Sequence, residues 1–88
     1  MSVYRVRISR HASKQLKELP PDVQRRVIAA LRALGQDPNQ GVKLLGPLAG
    51  SRRYRVGDYR IVYQVNTRKR LVIVENIRHR RHAYRPSL

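Results

Sequence analysis

Tyr54-Arg-Val-Gly-Asp-Tyr-Arg-Ile-Val-Tyr63 is the stretch that decides the fold. Gly57-Asp58 between two alternating runs is a two-residue hairpin signal, because that turn needs backbone angles that Gly and Asp tolerate and β-branched residues do not. Counting outward from the turn sets Val56 opposite Tyr59, Arg55 opposite Arg60, Tyr54 opposite Ile61 and Arg53 opposite Val62. Side chains alternate across a strand, so Arg53, Arg55 and Arg60 share one sheet face, while Tyr54, Ile61, Tyr63 and Val65 point the other way. Like charges directly opposed across a strand pair cost a few tenths to about 1 kcal/mol, so this face calls for an anion.

Downstream, Asn66 to Lys69 reads as a four-residue turn, and Arg70-Leu-Val-Ile-Val-Glu-Asn-Ile77 as another strand, which would bring Glu75 opposite Arg60. Upstream, residues 36 to 50 hold three Gly and two Pro with no sustained period and read as a crossing loop. Before it, Val23, Val27, Ala30, Leu31 and Leu34 mark one face of a helix, with Gly35 placed as a left-handed C′ residue. Pro20-Pro21-Asp22 separates this helix from a shorter one, capped by Ser9 and striped by Ala12, Leu16 and Leu19. Arg25, Arg26 and Arg32 fall on the far side of the second helix, where a solvated face accounts for them. Residues 3 to 8 alternate as a first strand. The expected architecture is α+β, β-α-α-β-β-β: one domain over residues 1 to 88, with a helical hairpin packed on an antiparallel sheet.

Eighty-eight residues allow one small core, built without Trp or Phe. Cysteine is absent, which excludes disulfides, thiolate metal sites and a Cys nucleophile. No apolar stretch approaches the roughly 20 residues of a membrane span, so a cytoplasmic chain with no membrane partner is expected. The net charge of +15 comes from 20 Lys and Arg against 5 Asp and Glu, and 16 of those cations are Arg. Guanidinium recognises phosphate in a planar, bidentate way, whereas solubility alone would be served by Lys. The partner is therefore a polyanion: nucleic acid, a ribonucleoprotein or an acidic protein.

Glu75 is one carboxylate against three guanidinium groups, and the tail adds Arg78, Arg80, Arg81 and Arg85, which favours a cationic surface that grips a phosphodiester backbone. His79 and His82 have no third ligand at metal-site spacing, and their Arg neighbours repel a cation, so no metal or other cofactor is expected. His79 beside a phosphate suits proton transfer or phosphate binding. Tyr84 could stack on a base, exchange a proton with a 2′-hydroxyl or anchor the tail. Lys43 is a lone loop cation.

The sequence resembles the RelE/ParE superfamily of toxins from bacterial type II toxin–antitoxin pairs over nearly its whole length. The features that carry the likeness are Lys43-Leu44 with Gly46 and Leu48, the block Tyr54 to Tyr63, and the closing Ile77-Arg-His-Arg-Arg-His-Ala-Tyr84. In the RelE branch the resemblance implies ribosome-dependent cleavage of mRNA in the A site, without a metal; in the ParE branch it implies inhibition of DNA gyrase. Arg60 matches the family's phosphate-stabilising arginine, and Tyr84 the tyrosine proposed as a base. Either Arg78 or Arg80 matches a second cation. Arg53 and Arg55 stand where RelE-like members have lysines, so the charge is kept but a side chain able to give up a proton is not.

The resemblance thus implies an endoribonuclease toxin with Arg55, Arg60, Arg80 and Tyr84 as catalytic residues, and Lys43, Arg53, Arg78, His79 and Arg81 as RNA-binding ones. Its expected partners are ribosome, mRNA and an acidic cognate antitoxin that covers the basic face or displaces the tail. Free of antitoxin the chain is expected to be a monomer, and with it a hetero-oligomer. The alternatives are a gyrase inhibitor that cuts nothing and a catalytically idle nucleic-acid-binding domain.

Overall fold

A computed structural model describes residues 3–79 and Arg81. Strand β1, Arg5–Ile8, places Val6 and Ile8 against the core and leaves Arg5 and Arg7 exposed. Helix α1, Arg10–Lys17, starts directly after its N-cap Ser9, whose Oγ accepts from Ala12 N at 3.0 Å and so satisfies one of the helix's orphan donors. The same hydroxyl donates to Glu75 O at 3.3 Å. Ser9 therefore ties a helix start to a strand far away in sequence, and Ser9→Ala is expected to cost about 1 to 2 kcal/mol. On a chain of this size that is a fall in Tm of roughly 4 to 15 °C in a melting curve.

Pro20 and Pro21 separate α1 from helix α2, Pro21–Gln36, with Pro21 at the first helical position, where a missing N–H costs nothing. Its apolar stripe buries Val27, Ala30, Leu31 and Leu34 against the sheet. Gly35 is not a left-handed cap: it lies inside the helix, which runs one residue further to Gln36. Its role is close approach. Tyr4 N donates to Gly35 O at 2.8 Å, and a Cβ there would sit 3.1 Å from Tyr4 O and 3.3 Å from Val6 Cγ2. Arg26 likewise differs from a purely solvated residue, since its guanidinium packs against Gly57 in the hairpin turn.

The crossing loop contains a two-residue strand, β2 (Val42–Lys43), too short to leave a period in the sequence. Strands β3 (Arg52–Val56), β4 (Tyr59–Asn66) and β5 (Leu71–His79) follow as the expected antiparallel meander. The sheet has five strands in the order β1-β5-β4-β3-β2. The expected α+β fold, two helices on a sheet, is present, but the sheet is mixed: β1 lies parallel to β5. A parallel pairing between the first and last strands is non-local, so no turn residue announces it.

The core is Ala12, Val27, Ala30, Leu31, Leu34, Ile61, Tyr63, Val72, Val74 and Ile77. Tyr63 is fully buried with its hydroxyl satisfied twice: it donates to Pro38 O at 2.8 Å and accepts from Gly41 N at 2.9 Å. Burial pushes its phenol above the ordinary value, although the Gly41 hydrogen bond works against that shift. The tyrosine thereby clamps the crossing loop onto the sheet.

Candidate nucleic-acid interface

The hairpin register follows the turn: Arg53↔Val62, Tyr54↔Ile61, Arg55↔Arg60 and Val56↔Tyr59, with Gly57 at φ 58°. The next pairing departs from expectation. The β4–β5 turn occupies residues 67–70, one position later, because Asn66 Oδ1 accepts from Lys69 N at 3.1 Å and Arg70 takes the left-handed φ of 50°. A bulge between Val62 and Tyr63 then inserts Glu75 as the extra residue on β5. Together these shifts put Arg78, and not Glu75, opposite Arg60.

A row of three arginines, Arg55–Arg60–Arg78, therefore crosses β3, β4 and β5 on the face away from the helices, with Arg53 two residues along β3. Glu75 does not neutralise the row from the facing position. Its Oε1 accepts from Ser51 Oγ and its Oε2 from Gln64 Nε2, both at 2.9 Å. Arg78 Nε donates to Asn76 Oδ1 at 3.1 Å, which fixes the direction of one guanidinium along the strand. Arg53, Arg55 and Arg60 line a pocket of about 370 Å³ together with Gln40, Val42 and Tyr54. Gln40 and Val42 had no signal in sequence, since they belong to the aperiodic loop that Tyr63 and Gly41 pin in place.

The remaining candidates lie elsewhere. Lys43 is exposed and pairs with Arg52, so it has the opposite parity from Arg53 at the sheet edge. His79 pairs with Tyr59, also on the helix-facing side, and their rings meet edge to face with centroids 5.2 Å apart. Its Nδ1 accepts from Arg81 N at 3.2 Å. Arg80 and Tyr84 are outside the described residues. No group of His, Asp and Glu able to hold a metal occurs among the described residues, and no described helix is long and apolar enough to cross a membrane.

A cationic face on a helix-backed sheet is common to several protein classes, and comparison with known proteins decides between them. Residues 6–84 match the family described as the ParE toxin of the type II toxin–antitoxin system, parDE. The chain belongs to the RelE/ParE superfamily of toxins. This superfamily toxin is 32% identical over 84 residues to Toxin RelG of Mycobacterium tuberculosis, covering 93% of this chain and 97% of that one. Its fold superimposes on a chain of the RelBE2 toxin–antitoxin complex from the same organism with a TM-score of 0.85 at 30% identity, over 90% and 93% of the two chains. A chain of the archaeal RelE–RelB complex from Pyrococcus horikoshii OT3 gives a TM-score of 0.76 at 31% identity, over 94% of the superfamily toxin and 100% of the relative.

Proposed function

We propose that the protein is the RelE-like toxin of a toxin–antitoxin pair, a metal-independent endoribonuclease that cuts mRNA in the ribosomal A site and so arrests translation. The observation that supports this reading most is the Arg55–Arg60–Arg78 row beside a pocket lined by Arg53, Arg55 and Arg60. Such a row suits a phosphate whose charge grows in the transition state, because donors already in place need no reorganisation as the reaction proceeds.

In the reaction the 2′-oxygen of one nucleotide attacks its own 3′-phosphorus, and the bond from phosphorus to the 5′-oxygen of the next nucleotide breaks. A 2′,3′-cyclic phosphate and a 5′-hydroxyl result, the leaving 5′-oxygen taking its proton from water. Arg60 and Arg55 hold the phosphate oxygens, while Arg53 and Arg78 support the charge that develops on the leaving oxygen. Arginine stays protonated, so these contributions are electrostatic. Removal of the 2′-proton is assigned to Tyr84, and the role of a further cation for the phosphate to Arg80. His79 is given phosphate binding at the rim rather than the proton, since its ring lies against Tyr59 on the other side of the sheet. Lys43 and Arg81, both exposed, are given contacts to RNA outside the cleaved phosphate. The ribosome supplies alignment of the message, which lets few polar groups suffice. An acidic cognate antitoxin is the natural inhibitor of so basic a face.

Primer extension on a reporter mRNA in a reconstituted translation reaction tests the reading. New 5′ ends within codons, present only when ribosomes are present, are the expected result. The second reading, gyrase inhibition, is favoured by the match to the ParE family and by arginines where RelE-like toxins carry lysines. An intact message with inhibited supercoiling in a gyrase assay would establish it instead.

A further inference from the structure

The outer face of the sheet has a second cationic corner, diagonally across from the arginine row. Arg5 and Arg7 are exposed on β1, and their partners on β5 are Leu71 and Ile73, on the side away from the helices. The turn from β4 to β5 adds Arg68, Lys69 and Arg70, all exposed. Arg5 N donates to Arg70 O at 3.0 Å, so strand and turn meet at this corner. Among the described residues, none of these five side chains has a hydrogen-bond or ion-pair partner. Charges on an edge strand guard against edge-to-edge pairing, which accounts for Arg5 and Arg7. It does not account for three further cations in the adjoining turn.

Between the two corners stands Glu75, held on the same face by Ser51 and Gln64. One phosphate chain running from the arginine row to the β1 corner would pass over that carboxylate. The two corners therefore suit separate segments of a polyanion. The described tyrosines Tyr4, Tyr54, Tyr59 and Tyr63 pack on the core side or pair there, so the β1 corner offers no ring on which an unpaired base could stack. Single strands are read by such stacking, whereas RNA helices are recognised through phosphates and 2′-hydroxyls.

We infer that Arg5, Arg7, Arg68, Lys69 and Arg70 form a second, non-catalytic docking surface for the backbone of double-helical RNA, distinct from the strand that is cut. The inference rests on RNA being the target. On a ribosome, this surface would seat the toxin against structured RNA while the arginine row faces the message.

The test is fluorescence anisotropy of a labelled RNA duplex of about 16 base pairs, titrated with the full chain between about 50 and 200 mM salt. The variants are Arg5→Gln/Arg7→Gln/Arg68→Gln/Lys69→Gln and, separately, Arg25→Gln/Arg32→Gln. Each phosphate contact contributes about 0.9 to the slope of log affinity against log salt, so the quadruple variant is expected to flatten the slope by roughly 3 to 4. Arg25→Gln/Arg32→Gln, at two exposed cations on the far side of α2, should keep the parent's slope. Parental slope and affinity in the quadruple variant would overturn the inference. So would a parent that ignores the duplex yet binds polyglutamate, which would mark the corner as a protein-binding one. If the quadruple variant does not fold, Arg68→Gln/Lys69→Gln in the turn carries the test, with an expected change of about 2. Primer extension run beside the titration separates the two readings: a parent that binds the duplex but cleaves nothing refutes the nuclease and leaves the docking surface standing.

Discussion

Arg60→Ala is expected to lower the rate of ribosome-dependent mRNA cleavage by about 10² to 10³, the loss found when one preorganised donor to a developing oxyanion is removed. Arg60 occupies the middle of the row, opposite Arg55 on one side and Arg78 on the other, so it alone is adjacent to both flanking strands' cations. Its fold should survive. Arg60 is half-exposed on the face away from the core, and removing it relieves two like-charge oppositions worth a few tenths to about 1 kcal/mol each. A melting curve should therefore move by only a few degrees while primer extension shows the cleavage bands fading. Arg60→Lys separates charge from geometry: it keeps the charge but lacks the planar fork, and intermediate activity is expected. Full cleavage by Arg60→Ala would remove the row from the mechanism.

The largest effect on stability is expected at Gly41. A Cβ there would stand 2.8 Å from Arg53 O and would run into the Tyr63 hydroxyl. Backbone oxygen cannot swing aside as a long side chain can, so the loop must lift from β3. That movement strains the Gly41 N to Tyr63 bond and the one from Arg52 Nη1 to Gly41 O, at 2.9 Å. Overpacking of this kind costs about 1 to 3 kcal/mol, and an orphaned buried polar group about 1 to 3 more. Gly41→Ala should thus lower Tm by about 10 °C or more, at roughly 4 to 8 °C per kcal/mol. Tyr63→Phe, which leaves Gly41 N and Pro38 O without their hydroxyl partner, should cost about 2 kcal/mol alone. The two changes share one hydroxyl, so the double variant should be less unstable than the sum, and a double-mutant cycle by urea denaturation measures the coupling. Strict additivity would mean that the clamp described here does not hold the loop.

How much of this could be read from sequence depends on the range over which each pairing is specified. The β3–β4 register was legible to the residue because Gly57-Asp58 is a two-residue turn, which fixes both parity and partners. The β4–β5 register was not, because a four-residue turn can begin at Asn66 or Thr67, and only the Asn66 side-chain bond and the left-handed Arg70 choose between them. The bulge at Glu75 moved the register once more, which is why the carboxylate set against Arg60 in sequence turns out to hold Ser51 and Gln64. Gly35 was misread for a related reason: glycine marks both left-handed caps and close packing, and the strand that presses on it, through Tyr4 and Val6, is 29 residues or more away in sequence. The outward face of Arg53, Arg55 and Arg60 was read from alternation alone, and Arg78 joined them only through non-local pairing.

The parallel pairing of β1 with β5 has a consequence for synthesis. β1 finds its place only when β5 follows, 71 residues after Ile8 if counted to His79. At roughly 5 to 20 residues per second that is a delay of about 4 to 14 s. Arg78, which completes the arginine row, arrives in the same closing step. Until β5 has been made, the chain therefore has neither a finished sheet nor a finished arginine row. One pairing of distant strands thus closes the sheet and completes the row together.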